Sequence, residues 1–84
     1  MISLNPGYRT ISHSKTLRTV GTGQTVFVLA VNAAEAELQR LESIGVLPGV
    51  ELDVLADNGG PILVAVGEAR VAVERELAAS VIVA

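Results

Sequence analysis

The chain has no cysteine and no tryptophan among its 84 residues. Without cysteine there is no disulfide framework, no thiolate zinc site and no cysteine nucleophile. That pattern suits a reducing compartment. The aromatics are Tyr8 and Phe27 alone. Grooves that read proline-rich peptides are lined by Tyr and Trp, so that role is excluded. His13 is the single histidine. Its neighbours Ser12 and Ser14 cannot form a triad with it, because adjacent residues diverge and no acid is local. Positive charge is short as well: six Lys and Arg face nine Asp and Glu, a net charge of −3. Phosphate binding needs clustered cations, so nucleic acid is disfavoured as a partner. No apolar run approaches the ~18 residues of a membrane span, and no charged-then-apolar leader opens the chain. The expectation is a soluble cytoplasmic protein that does not insert in a membrane. Glycines are scattered, with no phosphate-cradling loop. Glu51 and Asp53 share a strand face, but nothing local makes either a general acid. No catalytic site is expected.

What is present is aliphatic. Half of the residues are apolar, so the core is built from Val, Leu, Ile and Ala. A chain this long makes one domain and buries somewhat more than ~60% of its unfolded surface. It folds without being hyperstable.

The chain is organised around Leu41-Glu42-Ser43-Ile44-Gly45-Val46-Leu47-Pro48-Gly49-Val50. These residues end a helix, reverse the chain and start a strand. Gly45 sits just past the last helical turn, where a left-handed residue is needed and glycine has no steric cost. Val46 is placed to fold back on Leu41. Pro48 and Gly49 suit the two central positions of a type II turn.

Upstream, Met1 to Thr16 is polar and irregular, with a turn signal at Asn5-Pro6-Gly7 and a short extended piece expected at Tyr8 to Ile11. Leu17 and Val20 anchor the start of the fold, and Gly21-Thr22-Gly23 is a turn. Gln24 to Val31 reads as a strand by β-branched content. Both of its faces are apolar: Val26, Val28 and Ala30 on one, Phe27, Leu29 and Val31 on the other. One side suits a barrel interior; the other suits the following helix or a partner. Asn32 is a good N-cap, with Glu35 completing a capping-box-like pair. Ala33 to Ile44 is then helical, with a buried stripe of Ala34, Leu38, Leu41 and Gly45. Glu37, Arg40 and Glu42 point away from that stripe.

Downstream, Val50, Leu52 and Val54 alternate with Glu51 and Asp53, a half-buried strand. Ile62, Val64 and Val66 form the inner row of a second strand, and Val71 and Val73 that of a third. A two-residue Gly67-Glu68 hairpin pairs Val66 with Ala69, Val64 with Val71 and Ile62 with Val73. The preceding loop obeys the same parity rule. A two-residue Asn58-Gly59 turn puts the apolar rows on opposite faces. A three-residue loop, Asn58-Gly59-Gly60, sets Val54 opposite Val64, with one glycine left-handed. Pro61 then begins the next strand, where its missing N–H is tolerable. Arg75 to Ala79 is a short helical turn, and Ser80 to Val83 the last strand.

The stretch Arg40 to Gly49 resembles the "R-L-x-x-L-G-L-x-P-G" centre of the FeoA family, small proteins of bacterial ferrous iron transport. Gly60-Pro61-Ile62-Leu63-Val64 is similar to its "G-P-I-x-V". Arg70 to Ala78 is similar to its "x-I-A-L-R-x-x-L-A", and Val81-Ile82-Val83 to its closing "I-x-V". No single piece is specific; their order and spacing carry the match. It spans roughly Leu17 to Val83, leaving residues 1–16 as an N-terminal extension and 17–84 as the domain. The resemblance implies a mainly β fold: an SH3-like barrel of about five strands, with a helix after the first long strand and a helical turn before the last. It implies a non-enzymatic accessory protein that binds the FeoB transporter at its cytoplasmic GTP-binding domain. The same module occurs in metal-dependent repressors, so a metal-responsive regulatory module is the alternative. That role needs a DNA-binding helix-turn-helix, for which this chain is short and acidic. Many relatives are basic around the helix, whereas here Arg40 stands among Glu35, Glu37 and Glu42.

The candidate partner-binding residues are Glu37, Arg40, Glu42 and Leu47. Leu41, Gly45, Pro48, Gly49, Gly60 and Pro61 are structural. Iron is the family's context, and His13 is the one candidate metal ligand. One imidazole with oxygen donors is a weak set for Fe2+ or Zn2+. A Glu, an Asp or a second chain would have to complete the shell, and a shared site would couple metal to homodimer formation. The resemblance supplies no shared metal motif.

Overall fold

In the computed structural model, which describes residues 15–84, one strand divides its length between two partners. Strand β1 (Thr25–Val31) pairs through Thr25–Phe27 with β2 (Glu51–Asp57), and from Val28 to Val31 with β5 (Val81–Val83), both antiparallel. Strands β3 (Ile62–Val66) and β4 (Ala69–Val73) complete a sheet in the order β4-β3-β2-β1-β5. Helix α1 (Glu35–Ser43) lies between β1 and β2 in the chain, and the single turn α2 (Arg75–Ala78) between β4 and β5. This is the mainly β arrangement expected of an SH3-like barrel.

The chain enters through Lys15 and Thr16, which lie against β5. Thr16 bridges Ile82, and the Val83 N–H donates to the Lys15 carbonyl at 2.9 Å. The described fold thus starts inside the stretch assigned above to the extension. A 3-10 turn at Leu17–Thr19 then buries Leu17 fully, and Val20 follows it into the core. Tyr8 to Ile11 and His13 lie outside the described residues.

The inner rows are as their alternation demands. Val26, Val28, Leu52, Val54, Ile62, Val64 and Val73 are buried, while Glu51 and Asp53 are exposed. Leu41 and Val46 join this cluster from α1 and its end, and Leu77, Val81 and Val83 close it. The tight hairpin pairs Val66 with Ala69, Val64 with Val71 and Ile62 with Val73, with Gly67 at φ 60°.

Three local expectations need correction. The loop between β2 and β3 does set Val54 opposite Val64, and Gly59 is left-handed at φ 94°. Yet the strands close at Asp57 opposite Ile62, so four residues, Asn58 to Pro61, form the connection. A register shift between Val54 and Ala56 absorbs the extra residue and keeps the apolar rows on one face. The second correction is the start of α1. The N-cap is Ala34, not Asn32, whose N–H instead donates to the Ser80 carbonyl at 2.8 Å and prolongs the β1–β5 ladder. Glu37 then does what was expected of Glu35: its carboxylate accepts from the Ala34 N–H at 3.3 Å. Ala34, at the helix end, is exposed rather than part of the buried stripe. The third correction is Ala30. A register shift between Val28 and Ala30 breaks the alternation of β1, and Ala30 is exposed.

Candidate docking surface

The turn after α1 is held at both ends. The Gly45 N–H donates to the Glu42 carbonyl at 3.0 Å and the Val46 N–H to the Leu41 carbonyl at 2.9 Å, the paired bonds of a Schellman ending. Gly45 takes φ 92° to make them. Four residues on, the Val50 N–H donates to the Leu47 carbonyl at 3.2 Å, with Gly49 at φ 93°, as a type II turn requires. The Gly49 N–H donates to the Val28 carbonyl at 2.8 Å, which fastens the turn to β1. Val46 is thereby fully buried and Leu47 is left 39% exposed.

Leu47 has exposed apolar company. Phe27 is 52% and Leu29 57% exposed, both on β1. Of the second apolar row of β1, Phe27 and Leu29 are open, while beyond the register shift Val31 packs against the core. The shift between Val28 and Ala30 falls at Leu29, and a bulge of this kind re-aims a side chain.

The helix charges do not form one surface. Glu37, Arg40 and Glu42 are all exposed. Arg40 and Glu42 are two positions apart and lie roughly 160° apart around the helix. Glu37 is engaged in capping. Arg40 leans toward Glu74 at 3.6 Å, an exposed ion pair that contributes little on its own. Beneath it, a cavity of about 140 Å³ opens between Arg40, Ser43 and Ile44 on one side and Val73, Glu74 and Leu77 on the other. It has an apolar floor, and its charged rim is already paired.

Gly60 and Pro61 close the β2–β3 loop, and a clip missed by the sequence holds that loop. Arg75 Nε donates to the carbonyls of Gly59 at 3.0 Å and Gly60 at 3.2 Å, and its terminal nitrogen pairs with Asp57. Asp57 Oδ1 also accepts from the Gly59 N–H at 3.3 Å. The clip joins residues 18 apart in the chain, so no local pattern announces it.

Among the described residues, no three His, Cys, Asp or Glu side chains gather in a way that could hold a metal ion. Among them too, no helix is long and apolar enough to cross a membrane. His13 lies outside them.

The FeoA domain profile matches residues 15–84. The crystal structure of an iron uptake regulatory protein, FeoA, superposes with a TM-score of 0.79 at 33% identity, covering 82% of this chain and 93% of that one. The FeoA of Stenotrophomonas maltophilia in complex with zinc, described as a prokaryotic SH3 domain protein, superposes at 0.75 with 30% identity, covering 84% and 91%. A manganese-dependent transcriptional repressor superposes at 0.75 with 28% identity, covering 81% of this chain and 39% of that one. No curated protein sequence matches the chain.

Proposed function

This chain belongs to the FeoA family of ferrous iron transport proteins, and from that we propose that it is a non-enzymatic, cytoplasmic accessory protein that binds the FeoB transporter and modulates it. The partner surface on the transporter is its GTP-binding domain. The observation that carries the proposal is Leu47, an exposed leucine on a turn fixed by backbone hydrogen bonds at both ends. A preorganised apolar side chain of this kind loses little entropy on docking. It anchors a small interface, and charges at the rim set orientation and encounter rate more than affinity.

The test is capture. Tagged protein incubated with detergent-solubilised membranes of the source cell is expected to retain the ferrous iron transporter, and its isolated GTP-binding domain is expected to compete. Retention of other membrane proteins with no transporter among them overturns the proposal.

The likeness to the manganese-dependent repressor supports a second reading, a metal-responsive regulatory module. The net charge of −3 argues against phosphate contact by this domain. That reading requires manganese or iron to change the binding of this chain to a regulatory partner.

A further inference from the structure

We infer that the open face of β1 and β2 receives an extended basic segment of a partner protein, one in which Lys or Arg alternates with apolar residues. The inference rests on the contact reading above and specifies the chemistry of the contact.

The face is defined by the register. Phe27 lies opposite Glu51 and Thr25 opposite Asp53, so these four side chains emerge on one side of the sheet. The Thr25 hydroxyl donates to Asp53 Oδ1 at 2.6 Å, which places both on that side. Outward positions of a half-buried antiparallel strand are ordinarily polar. Here β1 presents Phe27, followed by Leu29 at the bulge where β1 turns to β5, and these are the two most exposed large apolar side chains among the described residues. The turn bearing Leu47 is bonded to the same strand at Val28. Apolar anchors and carboxylates thus stand beside each other, Phe27 directly across from Glu51.

The charge selects the occupant. The Glu51 carboxylate has no hydrogen-bond or ion-pair partner among the described residues, and Asp53 keeps one carboxylate oxygen for a partner. Arg70 is the cation on this side, opposite Ala65, which is itself opposite Asp53. The Arg70 and Asp53 backbones stand two strand spacings, about 9.5 Å, apart, and the two side chains form no ion pair. Glu51, Asp53, Val50, Ala65 and Gly67 line a shallow depression where small residues leave room for an incoming chain. A second copy placed two-fold on this face would bring two further carboxylates, Glu51 and Asp53, against one further cation, Arg70, so like charge predominates there. Anionic lipid and nucleic acid are repelled for the same reason. A cationic strand places its ammonium or guanidinium groups on Glu51 and Asp53 and its apolar side chains on Phe27 and Leu29.

The probes are two capped twelve-residue peptides with identical apolar residues, one carrying Lys and the other Glu at every charged position. Each is titrated into the isotope-labelled full chain and followed by amide chemical shifts. The expected result is that the Lys peptide shifts the signals around Phe27, Leu29, Glu51 and Asp53, and that added salt weakens it. Phe27→Ser and the double variant Glu51→Lys/Asp53→Lys are each expected to weaken it about tenfold or more. These positions are exposed, so unchanged circular dichroism and melting show that the variants fold. Equal binding of the Glu peptide, shifts confined to other surfaces, or self-association through Phe27 in the absence of peptide overturns the inference. Capture of the transporter by Phe27→Ser and Glu51→Lys/Asp53→Lys at wild-type levels overturns it while leaving the contact reading standing. Lys-peptide binding at this face without transporter capture does the reverse.

Discussion

A Cβ atom built on Gly45 comes within 3.2 Å of Val66 Cγ1, so the helix end and the third strand meet where glycine has no side chain. Gly45 also stands at φ 92°. Two penalties therefore fall on any replacement: a left-handed backbone that β-branched residues avoid, and a contact that Val66 must yield to. Gly45→Val is expected to lower stability by at least about 1–2 kcal/mol. Thermal melts of variant and parent check this; coincident melts show that the helix does not end as described.

Arg75 joins α2 to the β2–β3 loop through two carbonyls and the Asp57 carboxylate. Both partners of the ion pair are largely shielded, with side-chain exposures of 26% and 18%. Arg75→Met keeps the apolar stem and removes every donor. It leaves Asp57 with only the Gly59 N–H, and a loss of about 1–3 kcal/mol is expected. Arg75→Lys is expected to recover only part of it, because an ammonium cannot reproduce the planar fork. Denaturant midpoints of the three proteins rank them; equal midpoints show that the clip is dispensable.

These two sites differ in how far the sequence shows them. Gly45, Pro48 and Gly49 are legible because their demand is local: a positive φ or a fixed φ is written in the residue type. The Gly67-Glu68 hairpin is legible because parity leaves one register that keeps Ile62, Val64, Val71 and Val73 together. Parity also requires Val54 opposite Val64, but a three-residue loop and a bulge with a four-residue loop satisfy it equally, and the chain takes the second. Asn32 misleads because its N–H is claimed by Ser80, far along the chain. Leu47 is legible as a surface residue, since Val46 is consumed by the helix end. Phe27 and Leu29 are half legible. Two apolar faces on one strand say that each wants cover, and only the tertiary fold decides which residues go without. Arg75 and Asp57 find each other through the tertiary fold alone.

His13 is the chain's one imidazole. If a zinc or ferrous site is shared between two chains through it, excess Zn2+ raises the mass in solution and His13→Ala abolishes the rise. Light scattering coupled to size exclusion reads both. An unchanged mass with Zn2+ excludes a site shared between chains through His13.

Leu47 is where the docking proposal is most exposed to failure. Its backbone carbonyl serves the type II turn, and its neighbours are fixed by bonds from Val46 to Leu41 and from Gly49 to Val28. The side chain itself contributes none of these. Leu47→Asp is therefore expected to keep the fold, at a cost of about 1 kcal/mol for the part of the side chain that is covered. An aspartate there adds a further anion to an acidic chain and removes the apolar anchor. Capture of the transporter is expected to fall about tenfold or more. Ferrous iron uptake is expected to fail in cells that carry the variant in place of the native protein. If the variant melts well below the parent, Leu47 belongs to the core and the surface assignment is wrong. If it folds and uptake survives, the turn is not the docking site, and the open face of β1 and β2 must act without it.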